Sequence, residues 1–345
     1  MKRFKNAIYS TKLGQMLLGN SEELLRGDLK EALTNQVQLF ITSPPFPLNH
    51  KKSYGNLKGG EYQEWLSNIG LILRDLLAPD GSIVIEIGNS WEPGRPVQSV
   101  LHLESLLSFM KKAELNLIQE FICYNPSKLP TPANWVTINR IRAVDSYTHV
   151  WWLAKSDFPK ADNRKVLRPY SKSMLSLLER QSYNDGLRPS GHKISESGFL
   201  KDNNGSISHN LFEFEPIEHN KDVRLPSNIS EYVNAGHEPG NVLSLSNTSS
   251  GDYFSRRCRD LGIVKHPATM HPALIAFFVH FLTDEGDTIV DPFAGSNTTG
   301  YIAERLGRKW IGIEVLPEFA EQSLIRFEDP ALNVKLRITK CTSDK

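Results

Sequence analysis

The run from Thr288 to Gly300, TIVDPFAGSNTTG, constrains what this chain can fold into more than any other segment. A short apolar, β-rich stretch meets a proline and a glycine-bearing turn, and the turn opens directly into the helical pattern TGYIAERLG. Glycine lets a ligand come close to the backbone there, and a helix start offers N–H groups with no partner inside the helix. The spacing is not GxGxxG, so a dinucleotide is only weakly indicated. Glu314 ends the next strand, KWIGIE, fourteen residues after Gly300. An acidic residue at that strand end suits a ribose diol. A tight α/β turn and a solvent-facing glutamate are the plainer reading of each feature alone; the two in register favour a bound ligand.

The rest of the chain supports an α/β fold. Val37–Thr42 reads as a strand halted by Pro44-Pro45, which cannot continue a central strand. Trp65, Ile69, Ile72, Leu73 and Leu76 recur at helical spacing, followed by a Pro79-Asp80-Gly81 turn and the buried strand SIVIEIG. LHLESLLSFMKKAEL reads as a helix, LIQEFICYN and YTHVWWLAK as strands, and PALIAFFVHFLT and PEFAEQSLIRF as helices. Strands alternating with helices imply a mainly parallel, doubly wound sheet. Across 156–260 the periodicity weakens and Ser, Asn, Asp, Gly and Pro accumulate. A loop run of that length is functional or disordered in a compact protein. It is expected to form a small inserted domain around Phe199, Leu211, Phe212, Phe214 and Tyr232. The 345 residues therefore divide into 1–155, 156–260 and 261–345, the outer two forming one α/β domain.

Charge looks uninformative at first: forty basic against thirty-nine acidic residues, a net of +1. By segment it separates. Glu61–Glu120 holds nine acidic and four basic residues, whereas Phe121–Tyr170 holds eight basic and three acidic. Such a run is most often a solvated face, but here it adjoins the polar insertion and its aromatics, as a phosphate-tracking surface would. Cys123, Cys258 and Cys341 lie too far apart for a CxxC pair, and the scarcity of cysteine fits a reducing compartment. No apolar stretch is long enough to span a bilayer, and the basic N-terminus has no apolar signal core, so a cytoplasmic protein is expected. His192, His266 and His271 show no ligand spacing, and no metal is expected.

A second motif, Thr42-Ser43-Pro44-Pro45-Phe46, ends the strand Val37–Thr42. Read plainly it is a stiff proline turn. Read functionally, the fixed proline φ angles aim a backbone carbonyl and the Ser43 hydroxyl at one point, with the Phe46 ring alongside. Two acceptors and an aromatic face suit a planar ring bearing an amino group.

SPPF together with DPFAGSNTTG strongly resembles the amino-group DNA methyltransferases of type II restriction–modification systems, which use S-adenosylmethionine. The serine form is similar to the cytosine-N4 branch. The order of catalytic motif, recognition region and cofactor motif is that of the permuted beta class. The resemblance extends to KKSYGN, NPSKLPTPANW, SNTSSGDY and HPATMHPALI, and is weakest across 157–241. It implies a Rossmann-like methyltransferase fold with an inserted target-recognition domain. It further implies Ser43, Pro44, Pro45 and Phe46 as the catalytic motif, gripping a cytosine rotated out of the duplex. Asn20, Thr42, His266, Asp291, Phe293, Ala294, Gly295, Ser296 and Glu314 would hold the cofactor. Where the family often has Gly-Asp this chain has Gly19-Asn20, which retains an acceptor for an adenine amine. Lys51, Lys52, Lys128, Arg140 and Arg142 would meet DNA, with Arg188 and His192 contributing from the insertion. The implied setting is a monomer acting on double-stranded DNA, away from membranes, paired in function with a restriction endonuclease. Adenine-N6 methylation on the same scaffold, a DNA-binding protein without catalysis, and an N-methyltransferase acting on RNA or protein are the alternatives.

Overall fold

The computed structural model describes residues 3–46, 59–126, 128–182, 186–187, 189–191, 193–194, 200–215, 243–246, 253–265, 269–332 and 336–338. Its strands, in chain order, are β1 (Ala7–Ser10), β2 (Gly14–Leu18), β3 (Val37–Thr42), β4 (Leu77–Gly88), β5 (Asn116–Tyr124), β6 (Tyr147–Ala154), β7 (Gly186–Leu187), β8 (Lys193–Ile194), β9 (Leu211–Glu215), β10 (Leu243–Ser246), β11 (Thr288–Asp291), β12 (Lys309–Glu314) and β13 (Arg337–Ile338). Among the described residues eleven of these form one sheet in the order β10-β9-β5-β6-β4-β3-β11-β12-β2-β1-β13, and β7 pairs with β8 apart from it. The five central strands, β4, β3, β11, β12 and β2, are parallel. β6 and β1 run against them. This is the mainly parallel α/β sheet expected from the alternation of strands and helices.

Central strands buried on both faces are near-continuously apolar, and Val37–Thr42 is buried at every position. One face carries the helix Pro272–Leu282, whose Leu274, Ile275, Phe278 and Val279 join Leu39, Ile41, Val84 and Ile289 in one core cluster. The other face carries Gly59–Leu76 and Leu101–Ala113, whose Leu66, Ile69, Leu73 and Phe109 join Phe40, Ile85 and Ile311. The result is a helix–sheet–helix stack. Pro79-Asp80-Gly81 does not separate helix from strand as a free turn. It is an outward bulge within β4, between the pairings Val37↔Leu77 and Leu39↔Ser82.

The described residues of 156–260 include two strands of the main sheet. β9 and β10 extend it beyond β5 in parallel, and Phe212 stacks on Phe121 in the principal core. Two short N-terminal strands also escape the sequence pattern: β2 lies beside β12, in register from Trp310↔Gly14 to Glu314↔Leu18. No helix among the described residues is long and apolar enough to cross a membrane.

Candidate active site at the carboxyl edge of the sheet

Because β3, β11 and β12 are parallel neighbours, the residues following Thr42, Asp291 and Glu314 leave the sheet at one edge, where open α/β sheets bind ligands. Side chains join those ends. The Thr42 hydroxyl donates to Asp291 Oδ1 at 2.7 Å, and the Thr299 hydroxyl donates to Oδ2 at 2.6 Å. The Phe293 N–H donates to Oδ1 at 3.1 Å. Asp291 is buried, and burial pushes its carboxyl up to about 6 despite these donors. It ties the two motifs to each other.

Within the proline motif, Ser43 is exposed while Thr42 and Pro44 are buried. The Phe46 ring is buried edge-on to Tyr62 at 5.7 Å and 89°. Tyr62 touches Trp65, and Trp65 touches Phe293 at 5.6 Å, so an aromatic row runs from the proline motif to the glycine turn. The Trp65 indole also donates to Glu22 at 2.8 Å, and the Ser21 hydroxyl donates to the Pro292 carbonyl.

The glycine turn is held from several sides. Gly295 has φ +50°, a left-handed conformation that glycine adopts without steric cost. Its N–H donates to Glu314 Oε2 at 2.9 Å, and Ala294 N–H donates to the Ile313 carbonyl at 2.9 Å. Glu314 Oε1 accepts from the N–H groups of Val315 and Leu316 at 3.0 and 2.9 Å. Burial raises the Glu314 carboxyl above its usual range. Oε1 is thereby fully occupied, and Oε2 keeps one lone pair for a further donor, such as a diol hydroxyl. Asn297, also left-handed at φ +53°, accepts from the Gly300 N–H at 2.9 Å and donates to Tyr9 Oη at 3.1 Å. Ser296 is fixed by Arg326, which donates to its carbonyl at 2.7 Å and to its hydroxyl at 3.0 Å while lying 4.0 Å from the centre of the Phe254 ring. Nothing in the local sequence around Ser296 marks Arg326 as its partner.

Asn20 adjoins Glu314 through the bond from Gly19 N–H to the Glu314 carbonyl at 2.9 Å. Its Oδ1 caps the helix Ser21–Arg26, accepting from the Glu22 and Glu23 N–H groups at 2.9 and 3.3 Å. A local backbone role therefore occupies the atom that the family resemblance offers to an adenine amine. His266, Lys51, Lys52, Arg188 and His192 lie outside the described residues.

Glu86 is a site residue that the sequence pattern hid within an apolar strand. Thr42 pairs with Ile85, so Glu86 and Ser43 each follow directly on neighbouring strands. The Thr148 hydroxyl donates to Glu86 Oε1 at 3.1 Å, and burial pushes the carboxyl up to about 7, an effect opposed by Thr148 and by the nearby Lys128 charge. Desolvation in turn lowers the Lys128 amine.

Of the basic stretch 121–170, only the first part reaches this edge. β6 starts there and ends, at Ala154, opposite Ser82 at the other end of β4. Lys155 bonds to the Leu77 carbonyl, Lys160 pairs with Asp284 and Asp287 at 2.6 and 2.7 Å, and Lys165 pairs with Asp284 at 2.6 Å. These lysines secure the far end of the sheet, which corrects the expectation of one continuous phosphate-tracking face. Arg140 is exposed, and Arg142 pairs with Asp145 at 3.0 Å. Among the described residues no group of three or more His, Cys, Asp and Glu is placed to hold a metal ion.

Residues 37–324 match the model of a family described as DNA methylase, covering adenine-N6 and cytosine-N4 enzymes by its name. The chain is 38% identical over 327 residues to the type II methyltransferase M.PvuII of Proteus hauseri, spanning 94% of this chain and 87% of that protein. Its structure matches that of a PvuII DNA methyltransferase described as cytosine-N4-specific, with TM-score 0.68 and 31% identity over 95% of this chain and 91% of the other. A segment of 63 residues, 18% of this chain and 21% of the relative, is 41% identical to the DNA adenine methyltransferase YhdJ of Escherichia coli (strain K12).

Proposed function

The chain belongs to the N6/N4 DNA methylase family, and from that membership we propose that it methylates the exocyclic N4 amine of a cytosine in duplex DNA. The methyl donor is S-adenosylmethionine. The bond between Thr42 and Asp291 carries this reading, because it joins the strand end that bears the exposed Ser43 to the strand end that opens the glycine turn. The similarity to a cytosine-N4-specific enzyme over 91% of its length favours cytosine over adenine.

The residues present fit the donor. Glu314 offers the remaining acceptor position of a buried carboxylate to a ribose hydroxyl, and Gly295 makes the left-handed turn beside it without a side chain. Phe293, Ala294 and Ser296 of that turn, together with Asn20 and His266, are the further residues proposed to hold the donor. When bound, S-adenosylmethionine supplies an electrophilic methyl group on a sulfonium.

A cytosine inside the duplex cannot reach these groups, so the base is rotated out at a cost of a few kcal/mol. Ser43 Oγ and the Pro44 carbonyl accept hydrogens from the amine and turn its lone pair toward the methyl. Phe46 and Pro45 bound the ring. On methyl transfer the amine would give up a proton, for which Glu86, following the residue paired with Thr42, is the proposed acceptor. Placement rather than a strong base supplies most of the acceleration. Residues 1–155 and 261–345 form the methyltransferase domain, and 156–260 carry target recognition. Lys51, Lys52, Lys128, Arg140, Arg142, Arg188 and His192 contact DNA. The protein acts as a cytoplasmic monomer that shields sites from a partner restriction endonuclease.

Labelled S-adenosylmethionine offered with duplex DNA, RNA and protein tests the polymer class. Label should enter duplex DNA. Label in RNA or protein alone, or DNA binding without any transfer, would replace this reading by one of its rivals.

A further inference from the structure

Extruding a base leaves a gap whose walls are the apolar faces of the neighbouring bases, and proteins that enter duplexes fill such gaps with Ile, Leu, Phe, Met or Pro. We propose that the connection between β5 and β6 is the part of this protein that enters the duplex when the cytosine leaves it, with Ile138 and Ile141 as the inserted side chains. The insertion presupposes the methyltransferase reading above.

The position of the connection supports this. Thr148 pairs with both Cys123 and Gly88, so residues 125–146 leave the sheet at its catalytic edge, beside β4. Its surface carries several large apolar side chains. Leu129, Ile138 and Ile141 are 76%, 71% and 61% exposed, and no core cluster includes them. Its charge suits the same occupant: the connection itself carries Lys128, Arg140 and Arg142 against one acid, Asp145, which Arg142 already pairs, while Lys128 also lies near Glu86 of β4.

The connection is also braced. Asn134–Ile138 form a wide helical turn closed by Asn139, whose side chain donates to the Asn134 carbonyl at 2.9 Å. The N–H groups of Ile141 and Arg142 both return to the Trp135 carbonyl, at 2.9 and 3.3 Å. Arg140 sits at the corner between the two isoleucines with φ +55°. A bulky residue persists in that conformation where its surroundings enforce it. Exposed isoleucines on a rigid, cationic projection at the edge where the base must enter match a stacked, polyanionic partner.

The double variant I138S/I141S tests this against the wild-type protein. The modified site is first located by single-molecule sequencing of DNA treated with the wild type, and oligonucleotide duplexes carrying it are made with the target cytosine paired to guanine or opposite an abasic position. The variant should lose about tenfold or more in kcat/KM on the paired duplex. On the abasic duplex, where no pair need be broken, it should recover to within about twofold of the wild type. Unaltered S-adenosylmethionine binding checks that the variant is folded. Wild-type kinetics on the paired duplex, or equal losses on both duplexes, would overturn the insertion. A wild type that modifies no duplex at all would overturn the methyltransferase reading instead.

Discussion

The Thr42 hydroxyl donates to the Asp291 carboxylate at 2.7 Å, joining side chains 249 positions apart and coupling the end of β3 to the end of β11. Through it the motif that would grip the base and the turn that would hold the methyl donor become one rigid unit.

Removing that hydroxyl while keeping its shape should expose the coupling. Thr42→Val is expected to cost about 1–3 kcal/mol, the range for a lost hydrogen bond to a buried charged group. The effect has a definite pH sense. With its carboxyl pushed up to about 6, Asp291 stabilises the fold less as pH rises through that value, and loss of a donor penalises the ionised form further. Urea unfolding should show a larger deficit at pH 8 than at pH 5. A deficit independent of pH would mean that the bond does not act on the Asp291 charge.

Ser43 is the exposed member of a motif whose neighbours Thr42 and Pro44 are buried. Ser43→Ala should lower kcat by about a hundredfold to a thousandfold, the contribution of one positioned hydrogen-bonding group. Calorimetric affinity for S-adenosylmethionine should stay within about twofold. Equal losses in turnover and cofactor affinity would assign Ser43 to the donor site.

Glu86 should leave its mark on the pH profile. The carboxyl is pushed up to about 7, so it is protonated on the acid side and gains its accepting form as pH rises. The wild-type single-turnover rate should climb through pH 7 and level off above it. Glu86→Gln, which cannot gain that form, should be slower above pH 7 and nearly flat across the range. A variant that keeps the wild-type profile would exclude Glu86 as the proton acceptor.

Sequence pattern located the elements that are apolar and long. Val37–Thr42 was bounded by its prolines, and β11, its turn and β12 were bounded by the change from strand to helix periodicity. β1 and β2, of four and five residues, gave no such signal, although β2 pairs with β12 along its whole length. Glu86 was hidden because a single carboxylate in SIVIEIG reads as an interruption, and only the register with Thr42 brings it beside Ser43. The basic stretch misled for a related reason. Linear charge cannot show that β6 reverses direction, carrying Lys160 and Lys165 to acidic partners at the opposite end of the sheet. Asn20 was legible only through the family resemblance, at the Gly19-Asn20 position, while its service as a helix cap depends on the backbone that follows.

The base that is modified tests the account at its centre. Duplex DNA incubated with the protein and S-adenosylmethionine can be digested to nucleosides and analysed by mass spectrometry. The expected product is N4-methylcytosine, reduced in proportion to the lower kcat when Ser43→Ala replaces the wild type at matched short times. N6-methyladenine without N4-methylcytosine would contradict it.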